Sequence, residues 1–209
     1  MRLSRRTLAA TAAAAMMTLA LPEAARARPD AARAFITELG KETMAILQSQ
    51  DPVSAKASRL EEVFRKGFDF ATIGRFVLGR HWNTVSPQQR EAFLKAFTNF
   101  VTKSYSRRLA EEATIDGFNI TNLRDLGEND YLVQTVITRP NAPSLNYEWR
   151  VRQGESGVKI VDIVVEGVSL LVTQRSDYTS AIQRNGIDGL TRTLQEKADR
   201  GDPPPQGAK

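Results

Sequence analysis

The hydrophobic period of this chain changes at Gly117, and that change limits what it can fold into. Before it, apolar residues recur at intervals of three and four. After it, short runs rich in β-branched and aromatic residues alternate apolar with polar, and helical spacing returns only near the end. Strands grouped together and flanked by helices do not make alternating βαβ units. The order predicts an α+β fold, in which an antiparallel sheet packs against a helical lobe.

The helical part divides at its caps. From Pro29 to Gln48, Phe35, Ile36, Leu39, Met44, Ile46 and Leu47 recur at roughly helical spacing, with Pro29 suited to a first turn. A second helix is expected over Ala55–Arg65, ended by Gly67. In "FDFATIGRFVLGRHW", Asp69 can cap a helix carrying Ile73, Phe76 and Val77 on one face, with Gly79 as terminator. Ser86-Pro87-Gln88-Gln89 combines a capping serine, a first-turn proline and a capping-box glutamine. The helix it starts should run to about Glu112, with Phe93, Phe97, Phe100, Val101, Tyr105 and Leu109 on a broad stripe.

Beyond Gly117, "FNITNLRD", "YLVQTVITR", "LNYEWRVRQ" and "VKIVDIVVE" are separated by turn residues and predict a four-stranded antiparallel meander. In the third run Leu145, Tyr147, Trp149 and Val151 alternate with Asn146, Glu148, Arg150 and Arg152, giving one apolar and one wet face. The fourth run, Ile160–Val165, is apolar except at Asp162 and suggests a strand covered on both sides. Two helices should come next, near Ser169–Asn185 and Asp188–Lys197.

The ends read differently. Residues 1–27 open with Arg2, Arg5 and Arg6, continue with an alanine-rich run and close on Ala25-Arg26-Ala27, the pattern of an export signal cleaved near Ala27. Ser4-Arg5-Arg6-Thr7-Leu8 also fits a twin-arginine signal, and an ordinary secretory signal fits as well. Residues 28–199 then form the folded domain, and 200–209, ending "GDPPPQGAK", form a disordered tail. Loss of the signal removes four arginines and one glutamate, lowering the formal charge from +5 to +2. With acids and bases interspersed, no basic stripe marks a nucleic-acid binder. The mature chain holds no apolar run long enough to span a membrane.

Chemistry finds little purchase. The chain has no cysteine, and His81 is its one histidine. Ser169 and Ser176 lack the G-x-S-x-G frame, and no zinc, calcium, P-loop or dinucleotide motif occurs. Neither cofactor nor metal is expected. His81 reads as a surface or helix-end residue. Asp116, Glu128, Asp130, Asp162 and Glu166 lie in or beside the sheet region, where acids serve turns and strand edges or, inside an apolar cup, could work as acid and base.

Two separated segments resemble a known family. "FDFATIGRFVLGRHWNTVSPQQREAFLKAF", through Asp69, Phe70, Leu78, Gly79, Trp82, Pro87, Gln89, Arg90, Phe93 and Phe97, is similar to the first signature of MlaC-type proteins, the toluene-tolerance family of ABC transporter auxiliary components. "VDIVVEGVSLLVTQRSDY", through Asp162, Glu166, Gly167, Val168, Ser169, Arg175 and Ser176, resembles the second. The likeness runs from about residue 33 to 197, with Val158 departing from a tryptophan common among relatives. It implies a curved, NTF2-like antiparallel sheet joined to a helical lobe with an apolar cavity between them. It also implies a periplasmic carrier, not an enzyme. Such a carrier shuttles a glycerophospholipid between an outer-membrane lipoprotein complex and an inner-membrane ABC transporter complex with a substrate-binding ring, maintaining outer-membrane lipid asymmetry. A hopanoid-associated branch leaves the headgroup open.

A diacyl lipid with roughly thirty exposed methylenes would cost on the order of 20 kcal/mol in water, so such a carrier needs a dry pocket more than reactive groups. The expected lipid-binding wall is Ile73, Phe76, Val77, Phe93, Phe97, Val101 and Tyr105 from the helices, with Tyr147, Trp149, Val164, Val168 and Leu171 from the sheet and the segment after it. Arg175 is the candidate for a headgroup phosphate or, equally, a structural ion pair. Two other readings stay open: an NTF2-like enzyme with Asp162 or Glu166 as base on an apolar substrate, and an interaction protein whose stripes meet a partner.

Overall fold

The structure, a computed structural model, describes residues 27–112 and 114–203. The expected export signal, apart from Ala27, and the last six residues of the expected tail lie outside them. Five helices and one sheet are arranged in the order α1 (Ala27–Gln48), α2 (Val53–Gly67), α3 (Phe70–Leu78), a 3-10 turn (Gly79–Asn83), α4 (Pro87–Glu112), β1 (Gly117–Gly127), β2 (Asp130–Arg139), β3 (Ala142–Gly154), β4 (Gly157–Val165), β5 (Val168–Ser169) and α5 (Leu170–Arg200).

Local chemistry sets the helix ends. Asp69 accepts from the Thr72 amide at 2.9 Å and the Thr72 hydroxyl at 2.7 Å, starting α3. Gly79, at φ +53°, ends it. Ahead of α4, Ser86 and Gln89 exchange hydrogen bonds of 3.0 and 3.2 Å between side chain and backbone, a closed capping box. Ser169 caps α5, and Gly186, at φ 69° and ψ 174°, divides that helix near the boundary expected between two. At the end of α5 Arg200 is still helical, and the Asp202 carbonyl accepts from the Ser104 hydroxyl at 2.8 Å.

The sheet is antiparallel in the order β1-β2-β3-β4-β5. Its fifth strand corrects the expected four: Glu166 (φ 48°) and Gly167 (φ 82°) both sit in the left-handed region and fold Val168–Ser169 back onto Val164–Val165. Register shifts at Ile120/Asn122 in β1 and opposite Arg150/Val151 in β4 bend the sheet. The second leaves Ile160 and Ile163 on the same side as Val151 and Trp149, their partners in β3, although they stand an odd three positions apart.

Three apolar clusters hold the layers. Val77 and Leu78 of α3, Phe93, Phe97 and Phe100 of α4, and Tyr178, Leu190 and Leu194 of α5 form a helical core. Ala32 and Ile36 of α1 pack on Tyr131, Val133, Val151 and Ile160 of the sheet. Ile46, Leu60 and Val63 join α1 to α2. Helical lobe and sheet are also stitched by backbone, since the Asp69 amide donates to the Ile160 carbonyl at 2.9 Å.

Candidate functional site

Between the inner face of the sheet and α1, α2 and the end of α4 lies a cavity of about 710 Å³. From α1 it takes Ile36, Leu39, Gly40, Thr43 and Met44, a stripe at spacings of three and four along one helix face. Val63 and Phe64 of α2, then Phe68, continue the wall, and Tyr105, Arg108 and Leu109 close it from the last turns of α4. The sheet contributes Phe118, Ile137, Leu145, Tyr147, Trp149, Ile163 and Val165, with Val168 and Leu170 beyond the β4–β5 turn. Gly40 matters sterically: a Cβ there would lie 2.6 Å from the Phe118 ring, so the missing side chain lets α1 approach β1.

Tyr147 and Trp149 stack at 5.7 Å between centroids, and the indole N–H is satisfied by Thr135, which lies 1% exposed beneath it. Burial pushes the Tyr105 and Tyr147 hydroxyls up; Arg108 opposes this at both, and Arg139 more strongly at Tyr147. Both tyrosines stay neutral across ordinary pH, as an apolar wall requires. The polar part of the lining is small: Thr43, Arg108, Thr114, Arg139 and Glu166. Arg139 donates to the Pro143 carbonyl at 3.0 Å, and Glu166 accepts from the Asn146 amide at 2.6 Å.

Of the residues expected to form the wall, Tyr105, Tyr147, Trp149 and Val168 line this cavity. The others are elsewhere. Val77, Phe93 and Phe97 are in the helical core, with Ile73, Val101 and Leu171 packed against it, because the greater part of the α4 stripe meets α3 and α5 and only its last turns face the cavity. Val164 pairs with Ser169 on β4 between Ile163 and Val165, which line the cavity while it does not, since strand side chains alternate. Phe76 is 37% exposed and carries the Arg175 guanidinium 5.0 Å from its ring centre. Arg175 does not line this cavity, and its guanidinium makes a cation–π contact between α5 and α3.

The walls supplied by α1 and α2 escaped the sequence reading, although Ile36, Leu39, Gly40, Thr43 and Met44 carry a helical stripe. Leu145 shares strand parity with Tyr147 and Trp149, so it too was within reach. Among the acids considered for catalysis, Asp162 is not in the cavity wall. Its carboxylate accepts from the Ser169 hydroxyl at 2.7 Å and the Leu171 amide at 3.1 Å, anchoring the start of α5. His81 lies in the 3-10 turn as a partly exposed helix-end residue. Among the described residues no His, Cys, Asp and Glu group could hold a metal ion, and no helix is long and apolar enough to cross a membrane.

Comparison with known proteins places this architecture. Residues 37–196 match the family model described as MlaC protein. The intermembrane phospholipid transport system binding protein MlaC of Haemophilus influenzae is 30% identical over 129 residues, which is 60% of this chain and 60% of the length of that relative. A solved phospholipid-binding protein from Ralstonia solanacearum, in complex with a phospholipid, superposes with a TM-score of 0.70 at 20% identity, covering 81% of this chain and 98% of that one. The last likeness establishes the fold.

Proposed function

This chain belongs to the MlaC family, and from that premise we propose that it carries a glycerophospholipid through the aqueous space between two membranes, acyl chains in the cavity and headgroup at its rim. One observation carries the reading: about 710 Å³ of space, lined mainly by aliphatic and aromatic side chains, stays unfilled between sheet and helices. A chain with no other use for it would collapse that volume, because unfilled apolar space forfeits packing energy. Occupied by hydrocarbon, the same walls replace water around the lipid tails at about 0.8 kcal/mol per methylene.

Arg108 and Arg139 are the cations of the lining, and in this reading they, rather than Arg175, would meet the phosphate. Exchange would run between an outer-membrane lipoprotein complex and an inner-membrane ABC transporter complex, in the periplasm, after cleavage near Ala27. The relatives are named for binding and transport, not for a reaction. The catalytic alternative loses Asp162 to the anchoring of α5 and retains only Glu166, which holds the Asn146 amide.

Organic extraction of the purified protein followed by lipid mass spectrometry tests this. About one phospholipid per chain is the expected result, with transfer of a fluorescent phospholipid from donor to acceptor vesicles. A protein that emerges without lipid and moves none between vesicles would defeat the proposal.

A further inference from the structure

A second concavity, a groove of about 410 Å³, opens on the surface where α3 and the 3-10 turn meet α5 and Arg152 of β3. Its lining holds three arginines, Arg75, Arg152 and Arg175, and no carboxylate. Two acids near it are already engaged: Asp130 accepts from Arg150 and Arg152, and Asp69 caps α3 through Thr72. Arg75 and Arg175 have neither hydrogen bond nor ion pair among the described residues.

The groove is built rather than incidental. Gly79 lies so close to Arg175 that a Cβ would come within 2.9 Å of its Nε, so the guanidinium rests on bare backbone and is held over Phe76. Phe76 is 37% exposed and Val172 58% exposed, and Val172 precedes Arg175 by one turn on the same face of α5. Exposed apolar side chains beside unpaired guanidiniums, that of Arg175 held in place, have the composition of an interface centre, where aromatic residues and arginine are enriched. A lipid surface is broad and cannot enter a cleft between two helices. Carboxylates on an extended segment can, and each offers the two acceptors a guanidinium fork matches.

We propose that this groove is a docking site for an acidic segment of a partner protein, one whose carboxylates pair with Arg75 and Arg175 while an apolar side chain covers Phe76 and Val172. The proposal concerns a different surface from the lipid cavity and does not depend on what the cavity holds.

The chain has two tryptophans, Trp82 in the groove and Trp149 in the cavity, so their indole N–H resonances report the two sites separately. The full-length ¹⁵N-labelled protein is titrated with a synthetic acetyl-Gly-Asp-Leu-Glu-Asp-Gly amide peptide and, separately, with phosphatidylglycerol vesicles. The peptide should shift Trp82 saturably and leave Trp149 in place. Arg75→Glu/Arg175→Glu should weaken that binding at least tenfold, and Phe76→Ala should weaken it less. The milder Arg75→Gln/Arg175→Gln pair, with Trp149 unmoved as proof of fold, serves if charge reversal perturbs folding. A Trp82 resonance that ignores the peptide, that moves equally in wild type and the charge-removed pair, or that moves only with vesicles would overturn the proposal.

Discussion

The indole Nε1 of Trp149 donates to the hydroxyl of Thr135 at 2.8 Å, diagonally across β2 and β3. That bond lets an amphipathic ring serve as cavity wall, since its polar atom is satisfied from behind. Thr135→Val keeps the shape and removes the acceptor. Stranding the N–H costs about 1–3 kcal/mol, which lowers Tm by ~2–4 °C for each kcal/mol in a chain of this size. Thermal denaturation followed by circular dichroism checks it, and Thr135→Ser should restore most of the loss.

Core and cavity respond to different substitutions. Phe97 is 2% exposed and stacks on Phe93 at 5.6 Å, so Phe97→Ala should cost about 3–5 kcal/mol. Lipid extracted per chain well below the lowered Tm should stay at the wild-type level. Leu145→Arg, in the cavity lining, should do the reverse. Its long side chain can reach toward the rim, leaving Tm little changed, while a charge among the acyl chains reduces bound lipid at least tenfold.

Burial works to raise the Asp130 pKa, but hydrogen bonds from Arg152 and Arg150 outweigh it and hold the carboxyl below its ordinary value. A folded pKa lower than the unfolded one, about 3.9, stabilises the protein above that pH, and the contribution is lost as pH falls through the folded value. Asp130→Asn should therefore lower Tm by a constant amount at neutral pH. Melts between pH 6 and pH 2.5 should show the gap to wild type closing in the acid range.

Tyr178 meets Phe93 and Phe97 edge-on at 6.1 and 6.0 Å, buried in the helical core, and its hydroxyl has no hydrogen-bond partner among the described residues. Burial drives its pKa far up, so it carries no charge at any working pH. Tyr178→Phe keeps the ring contacts and removes a stranded polar atom. An increase of about 1 kcal/mol is expected, read as a higher midpoint in urea at unchanged slope.

The legible part of the sequence proved to be its joints. Asp69, Ser86, Gln89, Ser169 and Gly79 each carry their structural role in the residue type itself, and each was found at the helix end it marked. The family signatures are largely of this kind: Arg90 Nε donates to the Trp82 carbonyl at 2.8 Å, and Asp162 ties down α5. They preserve the junction of helices and sheet. The cavity wall has no such signature, because apolarity is its main requirement and Ile, Leu, Met, Val or Phe can supply it.

By itself the sequence determined the element order, the caps and the strand alternation, all set by neighbours a few residues away. Tertiary structure decided which apolar stripes close on one another and which stop short. The α4 residues from Phe93 to Phe100 meet α5 and fill a core, while Tyr105 and Leu109, on the same helix, line the cavity whose other wall carries Trp149. Hydrophobic burial has no direction, so a side chain bound for a solid interior and one bound for a cavity wall look alike along the chain. The difference lies in how closely the opposite element approaches, a distance set by packing between residues far apart in sequence.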